Sequence, residues 1–190
     1  RKVNADNLFQ KSANGKNFLL LTNVSWDAQI HHESNIFANM FDWIETTIEF
    51  FLSNPKHNLI IRIHPAEITG RIKSREPVST WIKNRYPDLP VNIKVIEPLD
   101  KVSTYSLMEF ADVGLIYASK SGLEMLARGK PVIVAGEAWI KNKGLCIEPR
   151  SNNEYINELS ILSNSTIGYE PNIELILKYA HYFFLSLIHI

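Results

Sequence analysis

The chain has 190 residues, 45% of them hydrophobic and 21% charged, which is enough for one domain with a substantial core. Lys and Arg together number 20, as do Asp and Glu, so the net charge is zero and there is no global electrostatic case for nucleic acid or a polybasic membrane surface. The single cysteine, Cys146, excludes a disulfide within the chain and a multi-cysteine zinc site, and it fits a reducing, cytoplasmic setting.

The first residues, Arg1, Lys2 and Val3, make no signal peptide and no Met precedes them, so the chain reads as a fragment. Residues 1–17 form a polar lead-in, residues 18–170 the main domain and residues 171–190 a C-terminal helix. Residues 18–24 are a continuous apolar run, as expected of a strand buried on both faces. Ile36, Met40, Phe41, Ile44, Ile48, Phe51 and Leu52 recur at helical spacing and predict an amphipathic helix over 35–53, ended by Asn54 and Pro55. Residues 58–64 are the second strand. Pro77, at a first helical position, opens a helix to about Arg85 that stops before Pro87.

Residues 92–96 are the third strand, 103–110 a short helix and 113–117 the fourth strand. A polar turn at 119–122 leads into a two-turn helix closed by Gly129. The fifth strand covers 131–135, and 144–147 is a short sixth. Ser151 and Glu154 form a capping box that opens a helix to about Leu162. A last helix spans 174–187, and the apolar run 182–190 is about half a bilayer span, too short for a transmembrane helix.

Strands alternating with helices predict an α/β fold, a Rossmann-like doubly wound parallel sheet. In such sheets ligands bind beyond the carboxyl ends of the strands. That rule puts the loops 25–34, 64–70 and 119–122 on one rim, together with Glu97, Pro98 and Leu99.

Ser119, Lys120, Ser121 and Gly122 lack both the Walker spacing and the dinucleotide glycine pattern. They offer two hydroxyls, one ammonium and a close backbone approach at a helix start, where free amides and the positive helix end favour a phosphate. The competing reading makes Ser121 an N-cap and Glu124 its capping-box partner. Glu124 also suits ribose hydroxyls, so two roles compete for one carboxylate. His64 ends an apolar strand, and Pro65 holds it extended. An imidazole there can donate to a phosphate, or it can bond a neighbouring backbone group.

His31, His32 and Glu33 look like a metal cluster, but adjacent strand histidines face opposite ways and no second ligand set supports them. Asp27 and Glu33 are the carboxylates of the first rim loop. Trp26 and Trp139 lie in rim loops, where each suits stacking on a sugar or base. Trp43 and Trp81 fall in helices as partial core. Cys146 reads as an inert buried thiol.

These residues resemble the C-terminal, donor-binding half of GT-B glycosyltransferases. The nearest likeness is to bacterial capsule polysaccharide biosynthesis proteins, a group that includes Kdo- and sialic-acid-type transferases with an HP motif and a serine motif. Here the motifs are His64-Pro65 and Ser119-Lys120-Ser121, with a lysine separating the two serines. Residues 121–133 also resemble the wider GT-B and sugar-nucleotide epimerase pattern, and residues 21–28 the first strand and loop of the capsule-protein domain. The resemblance covers residues 18–158.

The resemblance implies that His64, Pro65, Ser119, Lys120, Ser121 and Gly122 bind the phosphate of a CMP- or UDP-sugar donor. Glu97 would lie near the base and Glu124 near the ribose or phosphate loop. No metal and no other cofactor is implied, because helix dipole and side-chain donors stabilise the leaving phosphate. His64 and Asp27 are the weak catalytic candidates, since the general base of such enzymes usually sits in the N-terminal half. The implied partners are a nucleotide-sugar, a glycan acceptor and that N-terminal domain, against which the last helix would pack. An uncovered apolar face on that helix would favour a homodimer. Peripheral membrane association belongs to the full-length protein, and the fragment alone is expected to be inactive. A UDP-sugar 2-epimerase-like enzyme is the alternative within the same fold, and a non-enzymatic nucleotide- or partner-binding module is the alternative outside enzymes.

Overall fold

The computed structural model describes residues 15–24, 32, 35–70, 74, 76–165 and 171–186. Five parallel strands form one sheet: β1 (Asn17–Leu21), β2 (Asn58–Arg62), β3 (Ile93–Ile96), β4 (Val113–Ile116) and β5 (Val132–Val134), in the order β3-β2-β1-β4-β5. The helices are α1 (Met40–Ser53), α2 (Ala66–Thr69), α3 (Val78–Arg85), α4 (Thr104–Phe110), α5 (Ser121–Leu126), α6 (Asn152–Asn164) and α7 (Ile173–His181), the last continuing as a π-helical turn over Tyr182–Ser186. The predicted Rossmann-like class is the observed one.

Period-2 alternation splits the core into two layers. Phe18, Leu20, Leu59 and Ile61 meet Trp43, Ile44, Ile48, Val78, Ile82 and Tyr155 on one face of the sheet. Leu19, Leu21, Ile60 and Ile116 meet Leu107, Met108, Leu123, Met125, Ile176 and Phe183 on the other. Both faces are covered by helices, which is why the central strands read as unbroken apolar runs.

The strands end earlier than their hydrophobicity implies. After Leu21 the chain stays buried, and polar side chains join and then replace the ladder. Thr22 N and Thr22 Oγ1 both donate to Arg62 O, at 3.2 and 3.4 Å, and Asn23 Oδ1 accepts from Ala118 N at 3.2 Å. His64 leaves β2 because its N–H goes to Thr22 Oγ1 at 2.9 Å. Helix α1 starts at Met40 rather than at residue 35, since Asn39 Oδ1 caps it by accepting from Phe41 N and Asp42 N at 2.8 and 3.0 Å. Pro77 is the N-cap of α3 and not its first helical residue. The cap donor Val78 N is held by the buried Glu67 carboxylate, at 3.1 and 3.2 Å from its two oxygens.

Helix α5 ends in a Schellman turn. Gly129 sits at φ 72°, Lys130 N reaches Met125 O at 3.2 Å, and Gly129 N reaches Leu126 O at 2.9 Å. The expected sixth strand reduces to one bridge, Ile133 to Ile147, because Gly144 turns at φ 66° just before it and Pro149 follows. Ser151 Oγ caps α6 by accepting from Glu154 N, but Glu154 returns its bond to Arg150 N rather than to Ser151 N. Helix α2 went unpredicted; four residues are too few to show a periodicity. Among the described residues no helix is long and apolar enough to cross a membrane.

Buried polar groups gather at both ends of the sheet. At the amino ends they are architectural. Asn17 N donates to Asp112 Oδ2 at 2.8 Å, Asn58 Nδ2 to Asn17 Oδ1 at 2.8 Å, and Asn92 Nδ2 to both Phe51 O and His57 O at 3.1 Å. His57 is fully buried there, and its Nδ1 accepts from Lys16 N at 3.1 Å. Burial, with help from the Lys56 and Lys16 charges, lowers its pKa below the ordinary 6.5. The folded state therefore prefers the neutral ring. Its contribution to stability is complete above the unfolded value and is lost as pH falls through the lower folded value. The urea midpoint is expected to fall between pH 7 and pH 5 more steeply in the wild type than in His57→Asn, and equal slopes would contradict the assignment.

Candidate functional site

The chain passes to β2 and β3 on one side of β1, then returns to β4 and β5 on the other. Neighbouring parallel strands whose connections run opposite ways leave a crevice at their carboxyl ends, here between β1 and β4. The Asn23 to Ala118 hydrogen bond spans that point. Above it opens a cleft of about 450 Å³ lined by Asn23, Val24, His64, Ala118, Ser119, Lys120, Ser121 and Trp139.

The structure thus brings together His64 and the serine loop, from the ends of β2 and β4. His64 is exposed, and its Nδ1 accepts from Ala66 N at 3.1 Å. That bond occupies Nδ1 as an acceptor, which in the neutral ring puts the proton on Nε2. The backbone N–H of His64 on Thr22 Oγ1 fixes where the ring is mounted.

The competing capping-box reading of the serine loop does not hold. Lys120 is the N-cap residue without a side-chain cap bond, and Ser121 is the first helical residue. Ser119 Oγ takes the capping part by accepting from Ser121 N at 3.2 Å. The Ser121 hydroxyl is therefore not spent on the helix end. The expected free amides are also spoken for: Gly122 N bonds Ser119 O at 3.4 Å and Leu123 N bonds Lys120 O at 3.1 Å. With α5 only six residues long and these amides bonded, the polar groups this loop offers the cleft are mainly its side chains.

Gly122 also has a packing role. A Cβ there would meet Ile116 Cδ1 at 2.5 Å and Ile140 Cδ1 at 3.0 Å, so its bare Cα lets α5 sit close on β4. Gly122→Val is expected to push the loop off the sheet, costing about 1–3 kcal/mol of stability by overpacking. Chemical denaturation checks this, and an unchanged midpoint would refute the packing role.

Besides Gly122, three predicted residues stand apart from the cleft lining. Pro65 is exposed and starts the α2 turn. Glu124 is half-buried one turn into α5, with its backbone carbonyl accepting from Arg128 Nη1 at 2.7 Å. Glu97, at the end of β3, pairs with Lys83 Nζ at 2.7 Å and lines a separate depression against α3. Trp26, Asp27, His31 and Glu33 lie outside the described residues. Among the described residues no group of three or more His, Cys, Asp or Glu is placed to hold a metal ion. Burial pushes the Cys146 thiol well up, so it is a poor nucleophile.

Asn23 was not legible as a site residue, because it sits at the tail of an apolar run. Its amide, mounted on Ala118 N, lines the floor of the crevice. Trp139 is on the wall, half exposed, with its indole available for stacking.

The description "Capsule polysaccharide biosynthesis protein" matches residues 1–160 at the family level. Comparison with curated protein sequences gives no match. Among solved structures, the chain is similar to the beta Kdo 2,4 transferase KpsC of Thermosulfurimonas dismutans, at 20% identity and TM-score 0.55, covering 86% of this chain and 44% of that one. It is also similar to UDP-GlcNAc 2-epimerase from Neisseria meningitidis, solved with UDP-GlcNAc, at 15% identity and TM-score 0.56, covering 94% and 46%. The S. aureus MnaA structure with UDP gives 13% identity and TM-score 0.54, covering 98% and 52%. At these identities the likeness is one of fold, and the chain spans about half the length of each.

Proposed function

The chain belongs to the capsule polysaccharide biosynthesis protein family, and on that premise we propose that its cleft binds the phosphate of a nucleotide-sugar donor for a glycosyltransferase. The observation that carries this reading is the convergence of His64, Ser119, Lys120 and Ser121 on one cleft at the strand-order reversal. The ammonium of Lys120 supplies charge, the serine hydroxyls and His64 Nε2 supply donors, and Trp139 supplies a stacking surface.

In transfer, the bond between the anomeric carbon and the phosphate oxygen breaks, and its electrons pass to the phosphate. These donors meet that charge as it develops. The acceptor hydroxyl forms the new bond and gives its proton to a base. The chain spans about half the length of its structural relatives, and the reading assigns the acceptor site and the base to the half of that fold it does not match. A Kdo transferase and a UDP-GlcNAc 2-epimerase share the fold, which supports a nucleotide-sugar as the class of ligand, and the donor proposed is a CMP- or UDP-sugar. The epimerase reading is the weaker one, because the described lining of the cleft holds no carboxylate for proton transfer at a sugar carbon. Donor chemistry and the lone cysteine fit a cytoplasmic setting.

His64→Ala and Ser121→Ala are each expected to weaken CMP or UDP binding by about 1–3 kcal/mol, the value of a charge-assisted hydrogen bond. Calorimetric titration of the full-length protein measures this. Unchanged affinity in both variants would overturn the site.

A further inference from the structure

The aromatic end of the chain reaches the same cleft. Helix α7 packs on α5 through Ile176, and its register widens to a π-helical turn at Tyr182–Ser186. Phe183 lies in that turn and is 7% exposed. Its ring meets Trp139 edge-on at 5.6 Å and stacks with Tyr179 at 6.2 Å. Tyr179 OH donates to Trp139 O at 2.6 Å, and Lys143 Nζ lies 5.3 Å from the Tyr179 ring. Lys120 Nζ sits over the Phe183 ring, 5.6 Å from its centroid. One side chain thus touches both Lys120 and Trp139, which stand on different loops of the cleft.

An aromatic face attracts an ammonium without neutralising it. A carboxylate in the same place would pair with Lys120 and compete with an incoming phosphate. Among the described residues no carboxylate forms an ion pair with Lys120. The ring therefore restricts a flexible side chain while leaving its charge for a ligand, which lowers the entropy lost on binding. π-Helical turns recur at functional sites, and this one delivers the ring.

We propose that Phe183 is a positioning residue of the anion cleft: it seats the Lys120 ammonium, coupling the C-terminal segment to nucleotide binding. This rests on the nucleotide reading of the cleft and adds a residue far from it in sequence.

The test compares wild type, Phe183→Leu, Phe183→Tyr, Lys120→Met and the Phe183→Leu/Lys120→Met double variant in the full-length protein. Leucine keeps an apolar filling and removes the ring; tyrosine keeps the ring. The first readout needs no nucleotide. The Lys120 ε-methylene protons should show an upfield ring-current shift in NMR that Phe183→Leu loses and Phe183→Tyr keeps. The second readout is titration with CMP and UDP. Phe183→Leu should weaken binding roughly 3- to 10-fold, the scale of one cation–π contact, and should cost almost nothing once Lys120 is Met.

An equal loss in both Lys120 backgrounds would make Phe183 a packing residue only and overturn the proposal. A Lys120 shift unchanged by Phe183→Leu, or an affinity unchanged when the shift is lost, would overturn it too. If the wild type bound neither nucleotide, the nucleotide reading itself would fall and the positioning role with it. The ring-current shift would then report a packing contact and nothing more.

Discussion

Trp43→Ala is expected to lower the unfolding free energy by about 3–5 kcal/mol, as full truncation of a buried aromatic does. Trp43 is fully buried between α1 and the sheet, with the Tyr117 ring at 5.5 Å. Its Nε1 donates to Tyr155 OH at 2.8 Å, tying α1 to α6. The Thr47 hydroxyl gives its proton to Trp43 O at 2.7 Å, which leaves Tyr155 to donate to Thr47 Oγ1 at 2.8 Å. Alanine removes the apolar body and leaves the buried Tyr155 oxygen without the indole donor. Trp43→Phe keeps most of the body and loses one buried N–H bond, so it should cost nearer 1 kcal/mol. Urea unfolding of both variants checks the ranking. A loss below about 1 kcal/mol for alanine would mean that the helix layer is not anchored here.

Lys120→Met should weaken nucleotide binding about 10- to 100-fold and flatten its dependence on salt. Among the cleft-lining residues Lys120 is the permanent cation, so a bound phosphate loses its main charge partner with it. Methionine retains the apolar stem, which separates lost charge from lost packing. Titration at low and high salt distinguishes the two. If Lys120→Met keeps the wild-type salt slope, the phosphate lies elsewhere.

Much of this fold is legible in the sequence because the sheet is covered on both faces. Phe18 to Leu21 and Leu59 to Ile61 are apolar without a break, and that pattern fits a buried parallel strand. The strand ends were not legible. Thr22, Asn23 and His64 continue the runs in sequence, but their side chains and amides bond across to other loops, and no local pattern encodes such long-range pairs. The serine loop was legible as a polar turn before a helix. Its internal bonding was not, since Ser119 and Ser121 are equally plausible caps until the helix start is fixed by packing at Gly122. Phe183 gave no signal at all, being one of several apolar residues near the end of the chain. Only the folded chain brings it to Lys120.

The most direct test is a crystal structure of the full-length protein with CMP or UDP bound. The phosphate should lie between His64 Nε2 and the side chains of Ser119, Lys120 and Ser121, with the base or ribose reaching toward Trp139. A phosphate bound away from that cleft, for instance beside Lys83 and Glu97, would contradict the assignment.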